Sequence, residues 1–533
     1  MTTLSPISPA IPIQIPTRSA VAASPATVIE SADVSAARPA AIVSLGNPVA
    51  DVESQTYSRL GQLPGQEIVR VWEKTSQDAV TRVMGTNPRS LAIANRFHGL
   101  GAALVEQFAK SGSSISQSVF HTTTDKAHNA AEIKSEQALL HNKADNLITL
   151  SIKTASGKTV TFSLTSQDDG LGVQATVDGD PLSEDELKAI GVLGSAFQAA
   201  VDGLTAEPPK LDLSKLTQFD SSVLASIDLN AKLKGVDGED LILAYRADSQ
   251  SRTTQMSGPD GELNLSVDLK NSTILGDAKQ QASALNSYLA QFDRVQERGS
   301  AKAALMEMFK DAFSAMNSHY PQGVTPAAPL TRNATDKGLL TGLADFEASI
   351  KQTNNASNPM RPSEVDSFAY TLSQKTVVAG SIMSNRSVDQ VQQSSLSASY
   401  HKSLKGGKAP VLGTTTDSQN YLYVEVNDKA SSSASLAYKD GRLSKATVTQ
   451  SASQDTRTQQ YVMGKMVEET VVPKELSTSR SHLALLEYAA KESKKSKDAQ
   501  EQSLLKEALA TLHSSVLLQE NPSALARSHA RLP

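Results

Sequence analysis

Five carboxylates crowd the stretch VDGDPLSEDELKAI, Val177 to Ile190. Acids at that density serve a calcium loop, an acid–base cluster or the first turn of a helix. A calcium loop of the helix–loop–helix type needs oxygen ligands at positions 1, 3 and 5, Gly at 6 and Glu at 12. Counted from Asp178, position 5 is Leu182 and position 6 is Ser183, so that template fails. Ser183 followed three residues later by Glu186 fits a capping box, in which each side chain accepts the other residue's backbone N–H. Glu184 and Asp185 then fall in the first turn, where the helix dipole favours negative charge. Leu187, Ile190, Leu193 and Phe197 supply the buried stripe. The competing metal reading is an irregular cation site built from Asp168, Asp169, Asp178 and Asp180, which requires both acidic ends of a hairpin to meet.

Other stretches imitate known chemistry without completing it. ASGKTV, Ala155 to Val160, imitates a phosphate loop, but the glycine required five residues before Gly157 is Ile152. FHGLGAALVEQF offers Gly99 and Gly101, but Leu104 stands in the third glycine position and a helical pattern precedes it. Without a strand–turn–helix context this is no dinucleotide fingerprint. It reads better as small residues in a close-packed helix pair. His128 and Glu132 are spaced as two ligands on one helix face, near His121 and His141, but a solvated helix face is the preferred reading. There is no Gly-x-Ser-x-Gly elbow and no His-Glu-x-x-His, and Cys is absent. The sequence therefore yields no catalytic or cofactor-binding residues, and no cofactor is expected.

Those stretches sit on elements that the hydrophobic period defines. A net charge of -5 over 533 residues lacks the concentrated basic face of a nucleic-acid binder. No segment reaches the roughly 20 apolar residues of a membrane span. The opening MTTLSPISPAIPIQIPTRSA has no basic start and is broken by Pro6, Pro9, Pro12 and Pro16, unlike a Sec signal peptide. The expected location is the cytoplasm, or outside the cell by another route. Unstructured Ser/Thr/Pro-rich leaders of bacterial type III export are similar in composition.

Residues 1–54 read as a disordered Pro/Ser/Ala-rich arm, since so few apolar groups cannot offset the cost of ordering. Residues 55–145 read as helical, through EIVRVWEKTSQDAVTRVM, SLAIANRFHGLGAALVEQFA and Asp125 to Asn142. The period then changes to two in NLITLSIKT, KTVTFSLTS and LGVQATVDG, and again from SIDLNAKLKG to ELNLSVDLK. Asp-Gly pairs mark the turns. Residues 146–320 therefore form an α+β domain of two meanders with helices. A linker is expected over 321–362, a β-rich segment over 363–475 and a helical C-terminal segment over 476–533. Leu305, Met308, Phe309, Ala312, Phe313 and Met316 line one helix face as a core or as an adaptable groove. Leu483, Leu486, Ala490, Leu504, Leu505, Leu509, Leu512 and Val516 make a helical hairpin that packs on the body or on a protein partner.

The region from Leu147 to Ser318 resembles a family of uncharacterised bacterial proteins. IKTASGKTVTFSLTSQDDGL, DGDPLSEDELKAI and LSVDLKNSTILGDAKQQASAL carry the resemblance. It implies a strand meander followed by an acidic Leu-Ser-x-Asp-Glu-Leu helix start. Some such proteins are similar to ones labelled lactate dehydrogenase, but this chain has no Rossmann opening and no identifiable His/Arg/Asp catalytic set.

The expected fold is α+β: antiparallel β-meanders with packed amphipathic helices, a disordered N-terminal arm and a helical C-terminus. The expected function is a non-enzymatic bacterial binding, scaffold or secreted interaction protein. The alternative is an enzyme, such as a hydrolase, whose site is assembled from scattered residues.

Overall fold

The computed structural model describes residues 68–531, apart from 88–91, 124–128, 169, 236–237, 321–333, 383, 496–508 and 510–511. The arm over 1–54 lies outside the described residues.

Alternating sequences build one antiparallel sheet of fifteen strands. In chain order these are β1 (Ile68–Trp72), β2 (Ile115–Thr123), β3 (Asn146–Thr154), β4 (Thr159–Gln167) and β5 (Gly170–Asp178). Next come β6 (Leu224–Leu233), β7 (Leu241–Asp248), β8 (Ser251–Gly258), β9 (Gly261–Asp268) and β10 (Asp345–Gln352). The last five, β11 (Ser367–Ile382), β12 (Asn385–Ser403), β13 (Tyr421–Lys439), β14 (Arg442–Val462) and β15 (Lys465–Ser481), are the longest. Spatially the order is β1-β2-β5-β4-β3-β6, and from β6 to β15 each strand pairs with the next in sequence. The expected meanders are thus one continuous sheet. Two-residue turns at Asp440-Gly441 and Met463-Gly464 hold positive φ at both positions, the geometry that suits the twist of paired strands.

One face of the sheet is apolar and covered by helices. Ile148, Leu150, Val160 and Phe162 share one core with α3 (Leu100–Ser111), which lies against β4 and β5 and on which α6 (Gly194–Leu204) packs. Phe108 meets Phe162 edge-on at 5.2 Å between ring centres. Further along, α7 (Ala278–Gly299) and α8 (Ala303–Met316) cover β8 to β12. The predicted stripe on α8 is core: Leu305, Met308, Phe309, Ala312, Phe313 and Met316 are all buried. Tyr288, Phe292, Phe309, Phe313 and Phe346 pack edge to face, a geometry that adds to area burial. At the far end α10 (Leu483–Lys495) and α11 (Pro522–Arg531) cross β14 and β15. Leu486, Leu512 and Val516, offered above to a partner, are buried against Val388, Leu436 and Val448 of this same chain.

Several local expectations change. Ile68–Trp72, read as helix, is a strand, because its β-branched residues pair with β2. The long helix around Gly99 is two: α2 (Ile93–Phe97) and α3, parted where Gly99 takes φ +72°. Gly101 does sit in a close-packed pair, since a Cβ there would lie 3.0 Å from Phe197 Cδ1 on α6. Within 321–362, Asp345–Gln352 is a strand between β9 and β11 instead of linker, and β15 extends the sheet to Ser481. Among the described residues no helix is long and apolar enough to cross a membrane.

Candidate functional site

The opposite face of the sheet is polar, and from β8 to β15 it is open. In a strand successive side chains point to opposite faces, so strict alternation sorts them by chemistry. The register carries the sorting across the sheet. Gln255 of β8 stands opposite Asn264, which stands opposite Ser349, then Thr371, Ser395, Lys429, Ser453 and Glu475. A parallel row runs from Thr253 through Ser266, Glu347, Ser373, Gln393 and Ser431 to Ser451. Together they line a groove of about 860 Å³ across eight strands. Its described lining holds no aromatic side chain, and its charges are Glu347, Glu475 and Lys429. Cross-strand hydroxyl pairs brace the surface: Ser431 with Ser451 at 2.8 Å, and Thr449 with Ser479 at 2.9 Å.

Two structures border this face. Toward β5, α4 (Ala130–Asn142) lies against it, with Leu140 so close to Gly170 that a Cβ there would meet Leu140 Cδ2 at 2.7 Å. His141 of α4 reaches Glu73 at 2.8 Å, and Ser116 and Ser118 of β2 donate to the same carboxylate. The second border is the connection 353–366 between β10 and β11, which folds over the strand ends. It is fastened by a buried polar cluster. His401 Nδ1 lies 2.7 Å from Asp366 Oδ1, and its Nε2 lies 3.2 Å from Glu364 Oε2. Tyr421 donates to Glu364 Oε2 at 2.6 Å, and Asn358 Nδ2 donates to it at 3.2 Å. Arg361 stacks over the Tyr461 ring at 4.2 Å, and Tyr461 stacks on Tyr421 at 4.8 Å between ring centres.

Electrostatics follow from this packing. Burial alone would lower the His401 pKa, but the hydrogen bonds and charges of Asp366 and Glu364 outweigh it and raise the value. With a carboxylate oxygen at each ring nitrogen, the imidazolium is the matching form. The Tyr421 hydroxyl is pushed up by burial and by its bond to Glu364, so it stays a donor.

Ser357, His401 and Asp366 invite comparison with a hydrolase relay. Such a relay places the nucleophile at one ring nitrogen and the orienting acid at the other. Here Ser357 Oγ, at 3.0 Å, and Asp366 both meet Nδ1, while Glu364 occupies the Nε2 side. Ser357 also donates to Asp366 Oδ2 at 2.8 Å. The arrangement fastens a loop; it does not present a nucleophile.

The acidic stretch Val177–Ile190 is a helix start. Glu186 N donates to Ser183 Oγ at 3.3 Å, and Ser183 N donates to Glu186 Oε2 at 2.7 Å, opening α5 (Glu184–Val192). Ser156 and Lys158 of the phosphate-loop look-alike also bind Glu186, at 2.6 and 2.9 Å. Burial would raise the Glu186 pKa, but these donors outweigh it and hold it at about 2. Of the acids in the cation reading, Asp168, Asp169, Asp178 and Asp180, the three described ones are not brought to one end of the hairpin. Asp168 lies at the β4–β5 turn, whereas Asp178 pairs with Thr159 at the other end of that hairpin, and Asp180 lies beyond it. Asp169 and His128 lie outside the described residues. Among the described residues no group of three or more His, Asp or Glu is placed to hold a metal ion.

Comparison with protein families, with curated proteins and with solved structures finds no match to this chain. The groove and its fastened border were not foreseen from the sequence. Their signals were the Ser/Thr/Gln alternation of β11 to β14 and the Tyr421–Tyr423 pair on one face.

Proposed function

We propose that this chain is a binding protein whose open sheet face holds an extended, uncharged, hydroxyl-rich ligand such as a glycan strand. One observation carries the reading: rows of hydroxyl and amide side chains in register across β8 to β15, uncovered by any described helix. Hydroxyls and primary amides both donate and accept, which suits a ligand whose own groups do the same. Water fills the remaining gaps in such polar contacts at small cost. Small-molecule pockets are mostly lined by apolar side chains, whereas hydroxyl, amide and charged side chains make up most of this lining, which favours a polar polymer over a lipid or a hydrophobic peptide. The mixed charges Glu347, Glu475 and Lys429 give no general attraction for a polyanion.

The test is an array of neutral oligosaccharides, followed by titration calorimetry on the strongest binder. Ser373→Arg combined with Ser431→Arg puts two long cations on the groove floor without touching the core. Affinity should fall at least tenfold, about 1.4 kcal/mol, while the melting temperature holds. No array binding, or binding indifferent to the double substitution, refutes the reading.

A further inference from the structure

Three connections meet at one end of the longest strands. The register sets Ser403, Tyr421, Tyr461 and Met466 side by side, so the β12–β13 connection over 404–420 and the Met463-Gly464 turn leave the sheet together. Gly464 N donates to Gln419 O at 3.0 Å, and Arg361 of the 353–366 connection donates to Gly464 O at 2.9 Å. The base of the 404–420 connection is braced from within. Gln419 Nε2 donates to Gly413 O at 2.8 Å, Gly413 N donates to Ser418 Oγ at 2.9 Å, and Leu412 packs on the cluster of Tyr421, Tyr423 and Tyr461. Its tip stands clear: Gly406 and Gly407 take φ +75° and +85°, and a Cβ on either would meet nothing within 4 Å.

Two chemistries coincide at this end. Val411, next to the inward Leu412, is 93% exposed, and Met463 and Met360 are 47% and 45% exposed. Single exposed apolar side chains are ordinary, but several on adjoining loops mark a contact surface. The tip and the neighbouring strand ends carry Lys402, Lys405, Lys408 and Lys465, all exposed. None of the four makes an ion pair among the described residues. Of the acids close by in sequence, Glu364 and Asp366 are taken by His401 and Glu469 by Arg457, while Asp417 and Glu468 are exposed. A dissolved polyanion would satisfy the lysines and leave the apolar tip in water. A bilayer with anionic lipids takes up both: its headgroups attract the ammonium groups, and its acyl boundary receives the apolar side chains. Neither signal is strong alone, and together they hold a protein at a membrane surface.

We propose that this end of the sheet docks on an anionic lipid bilayer, with Lys402, Lys405, Lys408 and Lys465 at the headgroups and Val411 and Met463 entering the acyl boundary. The surface lies at the strand ends and does not rest on the ligand of the polar groove.

The experiment is co-sedimentation of the full chain with vesicles of phosphatidylserine in phosphatidylcholine, against phosphatidylcholine alone. Partition should require the anionic lipid and fall as salt is raised, because ions screen exposed charges. Lys405→Glu with Lys408→Glu should weaken it by about tenfold or more. Val411→Asp should weaken it severalfold. All three positions are exposed, so the melting temperature should hold. Lys439→Glu with Lys445→Glu makes the same charge change at exposed positions toward the opposite end of β13 and β14, and should leave partition unaltered. The chain has no Cys, so Val411→Cys gives a single labelling site, and an environment-sensitive dye there should shift its emission to the blue on the anionic vesicles. Failure to sediment with the anionic vesicles overturns the proposal, whether or not a soluble polyanion such as heparin binds. So does partition that the Lys405 and Lys408 reversals leave unchanged, or that the control pair weakens equally.

Discussion

His401 shows how one residue can tie a loop to a sheet. Its two ring nitrogens meet Asp366 and Glu364, both brought in by the connection over 353–366. The raised pKa fixes the sign of its effect. A group that binds its proton more tightly when folded stabilises the fold fully below its unfolded pKa, roughly 6.5 for His. That stabilisation is lost as the pH rises through the folded value. The loop should therefore become more susceptible to limited proteolysis between about pH 6 and pH 9, with a matching fall in urea stability. His401→Gln should abolish the pH dependence by starting from the weakened state. A loop equally protected at both pH values in the native protein would refute the ionic fastening. Glu186 works in the opposite direction: held at about 2, it stabilises above its ordinary range and ceases to as acid protonates it.

Among the elements, the start of α5 offers the cleanest test, because its capping box was legible in the sequence and is present in the fold. Ser183→Ala removes an acceptor from the first turn and should cost about 1 kcal/mol in urea unfolding. Ser183→Asp should be nearly neutral, since a carboxylate accepts the same bond and suits the dipole. Equal stability of Ala and native proteins would remove the capping account. Local patterns of this kind were readable: the alternation of β3 to β5, the α8 stripe and the Asp440-Gly441 turn all hold. What failed needed distant partners. Ile68–Trp72 is a strand because β2 lies beside it, and Asp345–Gln352 because β9 and β11 flank it. The loop fastening draws on residues from Ser357 to Tyr461 with no spacing to betray it. The groove emerges only when eight strands fall into register, which no single strand reveals.

At the scale of the molecule, one sheet of fifteen strands leaves long margins, and β15 forms one of them. A strand edge presents unpaired N–H and C=O groups that can pair with another chain. β15 runs 17 residues, with Val467, Val471 and Val472 exposed. Its guard is chemical. Pro473 has no N–H to offer, and Glu468, Glu469, Lys474 and Glu475 surround it with charge. Proline is tolerated on an edge when its missing donor faces outward, where it interrupts any strand that tries to add on. Pro473→Val restores that donor and supplies a residue favoured in strands, giving an apolar run from Val471 to residue 473. The variant should self-associate at high concentration, seen as a rising mass by light scattering and relieved by dilution. Its unfolding in dilute solution should be little changed, because the substituted side chain is exposed. A second substitution, Val471→Lys, should reverse the association by returning charge to the edge. If Pro473→Val keeps the native protein's mass at every concentration, Pro473 is not what guards this edge.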